Sequence, residues 1–256
     1  MQTIVFPEGN NTFIKQAEKQ LKTLCHPILL DNDLAAAAQM VASGKADAII
    51  AGIDHSTRDV ILAVRDHIGV AEGQKTFSSL FVCDLPDHQR LILSDGGVCK
   101  NPTTDQLADI ILLTHAAAQK ILDSTPKIAI LSFSTFGSGG QDPSIDKIAE
   151  AITIVRKTHP DILVDGEMQL DAAVNPRIAA KKSTSSQVAG QANVLITPDL
   201  NSGNILYKSL EQFAHATIAG PILLGFKKPA SDLSRGSSPE DILLTTHCLL
   251  KLIDPK

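Results

Sequence analysis

At 256 residues the chain is long enough for one large α/β unit or for two small domains sharing a cleft. Hydrophobic residues make up 43% and charged residues 20%, which excludes a disordered chain. The formal net charge of −5, with basic runs such as Lys181-Lys182 and Lys227-Lys228 no longer than a pair, leaves nothing to grip a nucleic-acid backbone or an anionic membrane.

The chain opens with a short apolar run at 3–6 and a helical pattern at 12–24, then a run at 27–30 and a helix at 34–41. Further strand-like runs follow at 48–51, 78–82, 91–93, 128–133, 162–164, 194–196 and 222–224, with helical patterns at 105–122 and 145–157. Strand then helix, repeated, predicts an α/β fold with a largely parallel sheet. The runs at 78–82 and 91–93 are joined by Asp84-Leu85-Pro86-Asp87-His88, which predicts a hairpin in place of a crossover. Pro143-Ser144 and Pro239-Glu240-Asp241 read as helix starts. Cys25, Cys83, Cys99 and Cys248 are scattered, with no Cys-x-x-Cys, and read as buried or incidental thiols. The N-terminus has no basic region followed by a long apolar one, and no stretch approaches the ~20 apolar residues of a membrane span. A cytoplasmic protein with no membrane partner is expected.

In a parallel sheet, ligands gather at the carboxyl ends of strands, so the segments after each run are the candidates for chemistry. Ser134-Thr135-Phe136-Gly137-Ser138-Gly139-Gly140 can present backbone N–H groups to a phosphate; it can equally be a steric turn. It is neither a Walker A loop nor a dinucleotide fingerprint. Asp165, Glu167 and Asp171 can be grouped as Mg²⁺ ligands or be ordinary loop and helix-start acids; the second is preferred, and no metal site is expected. Thr197 to Asn204 reads as a βα loop closing on a helix. From Gly225 to Asp241 a long polar loop offers two lysines, Ser234-Arg235 and an acid at a helix start. An arginine there is a fork for phosphate or a developing oxyanion.

Several blocks in order carry a family resemblance. Lys45-Ala46-Asp47-Ala48-Ile49-Ile50-Ala51-Gly52 resembles the strand and turn of the phosphate acetyl/butyryltransferase signature, and Ser132-Phe133-Ser134-Thr135-Phe136-Gly137-Ser138 resembles that family's Ser-Tyr-Ser-Thr-x-Gly-Ser loop. Asp165-Gly166-Glu167-Met168-Gln169-Leu170-Asp171-Ala172-Ala173 and the run from Pro198 to Lys208 are similar to two further blocks. Lys228-Pro229 followed by Asp232-Leu233-Ser234-Arg235-Gly236 is similar to the most characteristic motif of the acetyl branch.

The resemblance implies two α/β domains with largely parallel sheets around an interdomain cleft, in the fold of the isocitrate/isopropylmalate dehydrogenases. Domain I is then 1–70 plus 222–256, and domain II 71–221. It implies a phosphate acyltransferase moving a short acyl group, acetyl first, between coenzyme A and inorganic phosphate. No cofactor is permanently bound; coenzyme A, phosphate and a short acyl phosphate are its substrates, and a homodimer its assembly. By position Asp241 corresponds to the family's proposed general base toward the coenzyme A thiol, and Ser234 and Arg235 to the pair at the reacting carbonyl and phosphate. Ser134, Thr135, Ser138, Asn201, Gly203 and Lys228 fall in substrate-binding blocks. A family arginine on the helix after Gly52 falls here on Leu62, with Arg58 and Arg65 one helical turn on either side. They are the candidates to replace its charge. The run Ala63-Val64-Arg65-Asp66-His67-Ile68-Gly69-Val70 is similar to the butyryl branch, so a butyryl or branched-chain acyltransferase is the alternative. A coenzyme A-binding paralogue with little turnover is another, favoured by the arginine lost at Leu62.

Overall fold

The computed structural model describes residues 1–182 and 185–254. In chain order the elements begin β1 (Thr3–Phe6), α1 (Thr12–Leu24), β2 (His26–Leu29), α2 (Leu34–Ala42), β3 (Ala48–Ala51) and α3 (Thr57–Ala63), which runs into a π-helical turn (Val64–Ile68). Next come β4 (Ser78–Asp84), β5 (Arg90–Ser94), α4 (Thr104–Ile121), β6 (Ile128–Leu131), α5 (Pro143–Thr158) and β7 (Val164–Met168). The remainder is α6 (Leu170–Val174), α7 (Pro176–Lys182), β8 (Val194–Ile196), α8 (Leu200–Ala214), β9 (Thr217–Leu224), β10 (Ala230–Asp232) and α9 (Pro239–Leu252). The chain divides into two compact units, Met1–Phe77 with Ala216–Lys256, and Ser78–His215.

In the first unit the strands run in the order β2-β1-β3-β10-β9. All are parallel except β9, which is antiparallel to β10. Ile4, Val5 and Phe6 in β1 and all four residues of β3 are buried, the continuous apolar run that a parallel strand covered on both faces requires. Each isoleucine so buried stabilises the unit by about 1.5–3 kcal/mol. Helix α1 buries Ile14, Ala17 and Leu21, spaced to share one face, and starts where the Asn11 side chain accepts the Phe13 N–H at 2.9 Å. Helix α9 packs on α1 and β9.

Strand β10 corrects the expectation of one long polar loop from Gly225 to Asp241. Three residues are too few to display an alternating pattern, and two of them are polar. Pairing on both sides recruits them: Ala230 pairs with Ile49 of β3 and with Leu223 of β9. Burial of Ser231 is compensated because its hydroxyl donates to the Pro221 carbonyl at 2.9 Å.

In the second unit the order is β4-β5-β8-β6-β7. Strands β4 and β5 form the expected antiparallel hairpin, with Leu80 opposite Ser94, and the remaining pairs are parallel. Two local expectations are corrected. Asp165-Gly166-Glu167 does not follow a strand; it lies within β7, where pairing to β6 with a register shift overrides the poor strand propensity of these residues. Asn201 and Gly203 are not loop residues, since α8 already begins at Leu200 under an Asp199 cap whose carboxylate accepts the Ser202 N–H at 2.9 Å. Among the described residues no helix is long and apolar enough to cross a membrane.

Candidate active site

In the first unit the carboxyl ends of β1, β3 and β10 gather Glu8, Gly52 and Asp232. Glu8, 1% exposed, accepts the backbone N–H groups of Gly52 at 3.0 Å, Asp54 at 3.0 Å and His55 at 2.9 Å. Gly52 is required here: its φ is +106°, and a Cβ would run into Asp232 Oδ1 and the Leu233 N–H. The Leu233 N–H itself donates to the Ala51 carbonyl at 2.5 Å and pins the segment.

Asp232 is 2% exposed, and its Oδ1 has no hydrogen-bond partner among the described residues. Burial, chiefly, and the charge of Glu8 push its carboxyl up to about 7, while a hydrogen bond from Thr57 and the charge of Arg235 pull the other way. His55 Nε2 is also buried without a partner among the described residues.

Beyond β10 the chain turns tightly: the Ser237 N–H donates to the Ser234 carbonyl at 2.9 Å, leaving Ser234 half-buried and Arg235 exposed. Asp241 follows at the start of α9 in a capping box. Its Oδ2 accepts the Ser238 N–H at 2.8 Å and hydroxyl at 2.7 Å, and the Ser238 hydroxyl accepts the Asp241 N–H at 3.1 Å. Oδ1 accepts the Ile218 N–H at 2.8 Å. A carboxylate oxygen has two lone-pair sites, so Oδ1 retains one acceptor position while Oδ2 has none.

Arg58 stands exposed in the first turn of α3 and makes no ion pair among the described residues. Arg65 lies in the π-helical turn and is bound to the Asp66 carboxylate at 2.7 Å. Lys228 is exposed just ahead of β10.

In the second unit the loop after β6 is held by an acid from β7. Glu167, 5% exposed, accepts the Ser134 hydroxyl at 2.7 Å and the Gly137 N–H at 2.8 Å. The other N–H groups are used as well: Ser134 donates to the Ser132 hydroxyl, Thr135 to the Ser138 hydroxyl, Phe136 to the Glu167 carbonyl and Gly139 to the Ser134 hydroxyl. Ser138 and Gly140 close turns on Thr135 and Gly137. The N–H groups of this loop are therefore already engaged, that of Gly137 by the Glu167 carboxylate. Asp165 is bound instead to Arg156 at 2.9 Å, and Asp171 lies 3.6 Å from Lys182, so the three acids have separate partners.

Beside this loop a cavity of about 500 Å³ is lined by Leu131, Phe133, Leu170 and Leu206, with Lys147 and Ser202 at its polar side. Asp199 also lines it, so the cavity suits an apolar group that carries a polar end. Asn201 is exposed in the first turn of α8. Gly203 is buried where a Cβ would meet the Asp95 carbonyl, so its role in the fold is close packing. Glu8 is not among the residues the sequence singles out, although an acid two positions after the first apolar run is a usable signal. Asp232 lies in the characteristic motif but has no role predicted from it, because only pairing on both sides of β10 buries it.

Comparison with known proteins adds the following. The family model described as phosphate acetyl/butaryl transferase matches residues 26–248. The phosphate acetyltransferase of Clostridium acetobutylicum is 44% identical over 212 residues, 81% of this chain, and the chain spans 63% of that relative's length. The crystal structure of a phosphotransacetylase from Streptococcus pyogenes superposes with a TM-score of 0.87 at 33% identity, covering 98% of this chain and 94% of that one. At the level of fold alone, a 4-hydroxythreonine-4-phosphate dehydrogenase from Burkholderia phymatum has a TM-score of 0.60 at 12% identity, over 100% and 99% of the two chains.

Proposed function

Since the chain belongs to the phosphate acetyl/butaryl transferase family, we propose that it moves an acetyl group between coenzyme A and inorganic phosphate, converting acyl-CoA and phosphate to acyl phosphate and coenzyme A. The observation that carries this reading is the segment from Asp232 to Asp241. There a buried strand end, a tight turn exposing Arg235 and a capped helix start hold Arg235 and the Asp241 carboxylate six residues apart in one pinned stretch, which supports their proposed roles. Acetyl is preferred over butyryl because relatives at this level of identity bear the acetyltransferase name.

A free thiol has a pKa near ~8.5, so only a few per cent is thiolate at neutral pH and a base is needed for attack on the acyl phosphate. Asp241 is proposed as that base, through the acceptor position left on Oδ1. Negative charge then builds on the carbonyl oxygen, where Arg235 and the Ser234 hydroxyl stabilise it. No step requires a Lewis acid or a permanently bound cofactor. Lys228, Ser134, Thr135, Ser138, Asn201 and Gly203 remain proposed contributors to substrate binding; the 500 Å³ cavity supports a place for an apolar part of coenzyme A.

The division into domains 1–70 plus 222–256 and 71–221, and kinship with the isocitrate/isopropylmalate dehydrogenase fold, belong to the same proposal. The two compact units and the likeness to a dehydrogenase chain support them. A homodimer in the cytoplasm completes it, supported by Ile205 and Phe213 standing 66% and 84% exposed on α8 and by four free thiols.

The test is coenzyme A release from C2 to C5 acyl-CoAs with phosphate, and with arsenate in its place. Acetyl-CoA is expected to give the highest kcat/KM. Absence of phosphate- or arsenate-dependent release from every member would leave a coenzyme A-binding protein instead.

Phosphate arrives as a dianion and must shed hydration, which one arginine compensates poorly. The N–H groups of Ser134–Gly140 are already engaged, which supports Arg58 as the second cation. Arg58→Ala is expected to raise the KM for phosphate by about tenfold, with the KM for acyl-CoA little changed. Arg65→Ala should be nearly silent, since Asp66 already neutralises that side chain. A silent Arg58→Ala together with a strong Ser134→Ala defect would move the phosphate to the glycine-rich loop.

A further inference from the structure

We propose that Asp232 is a proton-carrying positioning residue for Arg235: protonated, it leaves the guanidinium free for a phosphate dianion, and ionised, it competes for that guanidinium. The proposal rests on the acyltransferase reading only in assigning Arg235 to the phosphate.

Two carboxyl groups lie at the strand ends of the first unit, and their surroundings differ. Glu8 accepts hydrogen bonds from three backbone N–H donors, so its carboxyl oxygens have partners. Asp232 has the Thr57 hydroxyl and an Oδ1 with no partner, pressed against Gly52 and almost fully buried. Of the pair, Asp232 is the one suited to hold a proton, as a buried carboxyl beside an already charged neighbour does. The groups acting on it are Glu8 after β1, Thr57 at the start of α3 and Arg235 after β10.

Once Asp232 ionises, its unpartnered oxygen is costly to keep buried without a cation. The charge of Arg235, three residues away on an exposed turn, is the cation that acts on this carboxyl. An inward guanidinium is one withdrawn from substrate. The carboxyl, raised to about 7, titrates within the working range of pH. Because its folded value lies above the unfolded one near ~3.9, the sign is fixed: the native state binds the extra proton between these limits, and stability falls as pH rises through them.

The test compares wild type with Asp232→Asn, which holds the site neutral, from about pH 6 to about pH 9. The ratio of their phosphate KM values cancels the titration of phosphate itself. It is expected to stay within about twofold at the acid end and to reach about fivefold or more at the alkaline end, with wild type weaker. The ratio of kcat values should not vary with pH. A KM ratio flat across the range, with a uniformly lowered kcat, means a purely structural carboxyl and overturns the proposal.

Should the variant fail to fold, calorimetry on wild type decides. Inorganic phosphate titrated near pH 8 in buffers of different ionisation enthalpy is expected to take up protons on binding, as Arg235 leaves Asp232. Zero uptake, or no binding of phosphate at all, overturns it. This arm needs no turnover, so loss of the acyltransferase reading and loss of the Asp232 switch give different results.

Discussion

Asp241→Asn is expected to lower kcat by at least ~10²-fold while leaving coenzyme A affinity within a few-fold, because a general base acts mainly in the transition state. The same change also disturbs the fold. Each carboxylate oxygen accepts at least one hydrogen bond, so an amide nitrogen must face either the Ile218 N–H or the Ser238 donors. A loss of about 1–3 kcal/mol follows from a donor left facing a donor. Ser238→Ala separates the two effects. It removes the bonds made by the Ser238 hydroxyl, with a comparable fall in Tm, yet leaves Asp241 Oδ1 in place. If Ser238→Ala loses as much kcat as Asp241→Asn, Asp241 serves the helix and not the thiol.

Arg235→Ala should reduce kcat/KM by about 10²–10³-fold, the cost of removing one oxyanion donor. Arg235→Lys recovers part of that, since a point charge remains while the planar fork is lost. Neither change should move Tm measurably: an exposed arginine on a turn contributes within about ±0.5 kcal/mol to folding. Activity of Arg235→Ala within about threefold of wild type would assign the developing charge to another group.

The pattern of helices and strands was largely legible where the apolar signal was strong. Helix α1 spans the predicted 12–24 because Asn11 caps it and its buried positions share one face. The hairpin was legible because two apolar runs lie too close for a crossover. What escaped is what pairing between distant segments decides. Ala230-Ser231-Asp232 has no strand signal of its own, and Asp165-Gly166-Glu167 has a contrary one; both become strands because a neighbour offers unpaired N–H and C=O groups.

The candidate site divides in the same way. Ser234, Arg235 and Asp241 were legible as a motif. Glu167 looked like a loop acid until its partner Ser134, thirty-three positions away, supplied a hydroxyl. Arg58 and Arg65 flank Leu62 in the sequence, with Arg58 nearer the strand end at Gly52, and the π-helical turn and Asp66 distinguish them further. Asp232 acquires its character from burial, which no local pattern announces.

The place of β10 between β3 and β9 has a kinetic consequence. The Ala230–Ile49 pairing closes a loop of roughly 180 residues, with a chain-entropy cost that grows only as the logarithm of length but falls due before any contact repays it. The unit Ser78–His215 is contiguous, so during synthesis it is complete on the ribosome while the first unit still lacks β9, β10 and α9. Until they emerge, the edge of β3 that β10 will occupy has no strand to pair with. In that interval the nascent chain carries an open parallel-sheet edge of buried-type residues, Ala48-Ile49-Ile50-Ala51, and the Asp232–Arg235 segment is among the last parts of the molecule to acquire its structure.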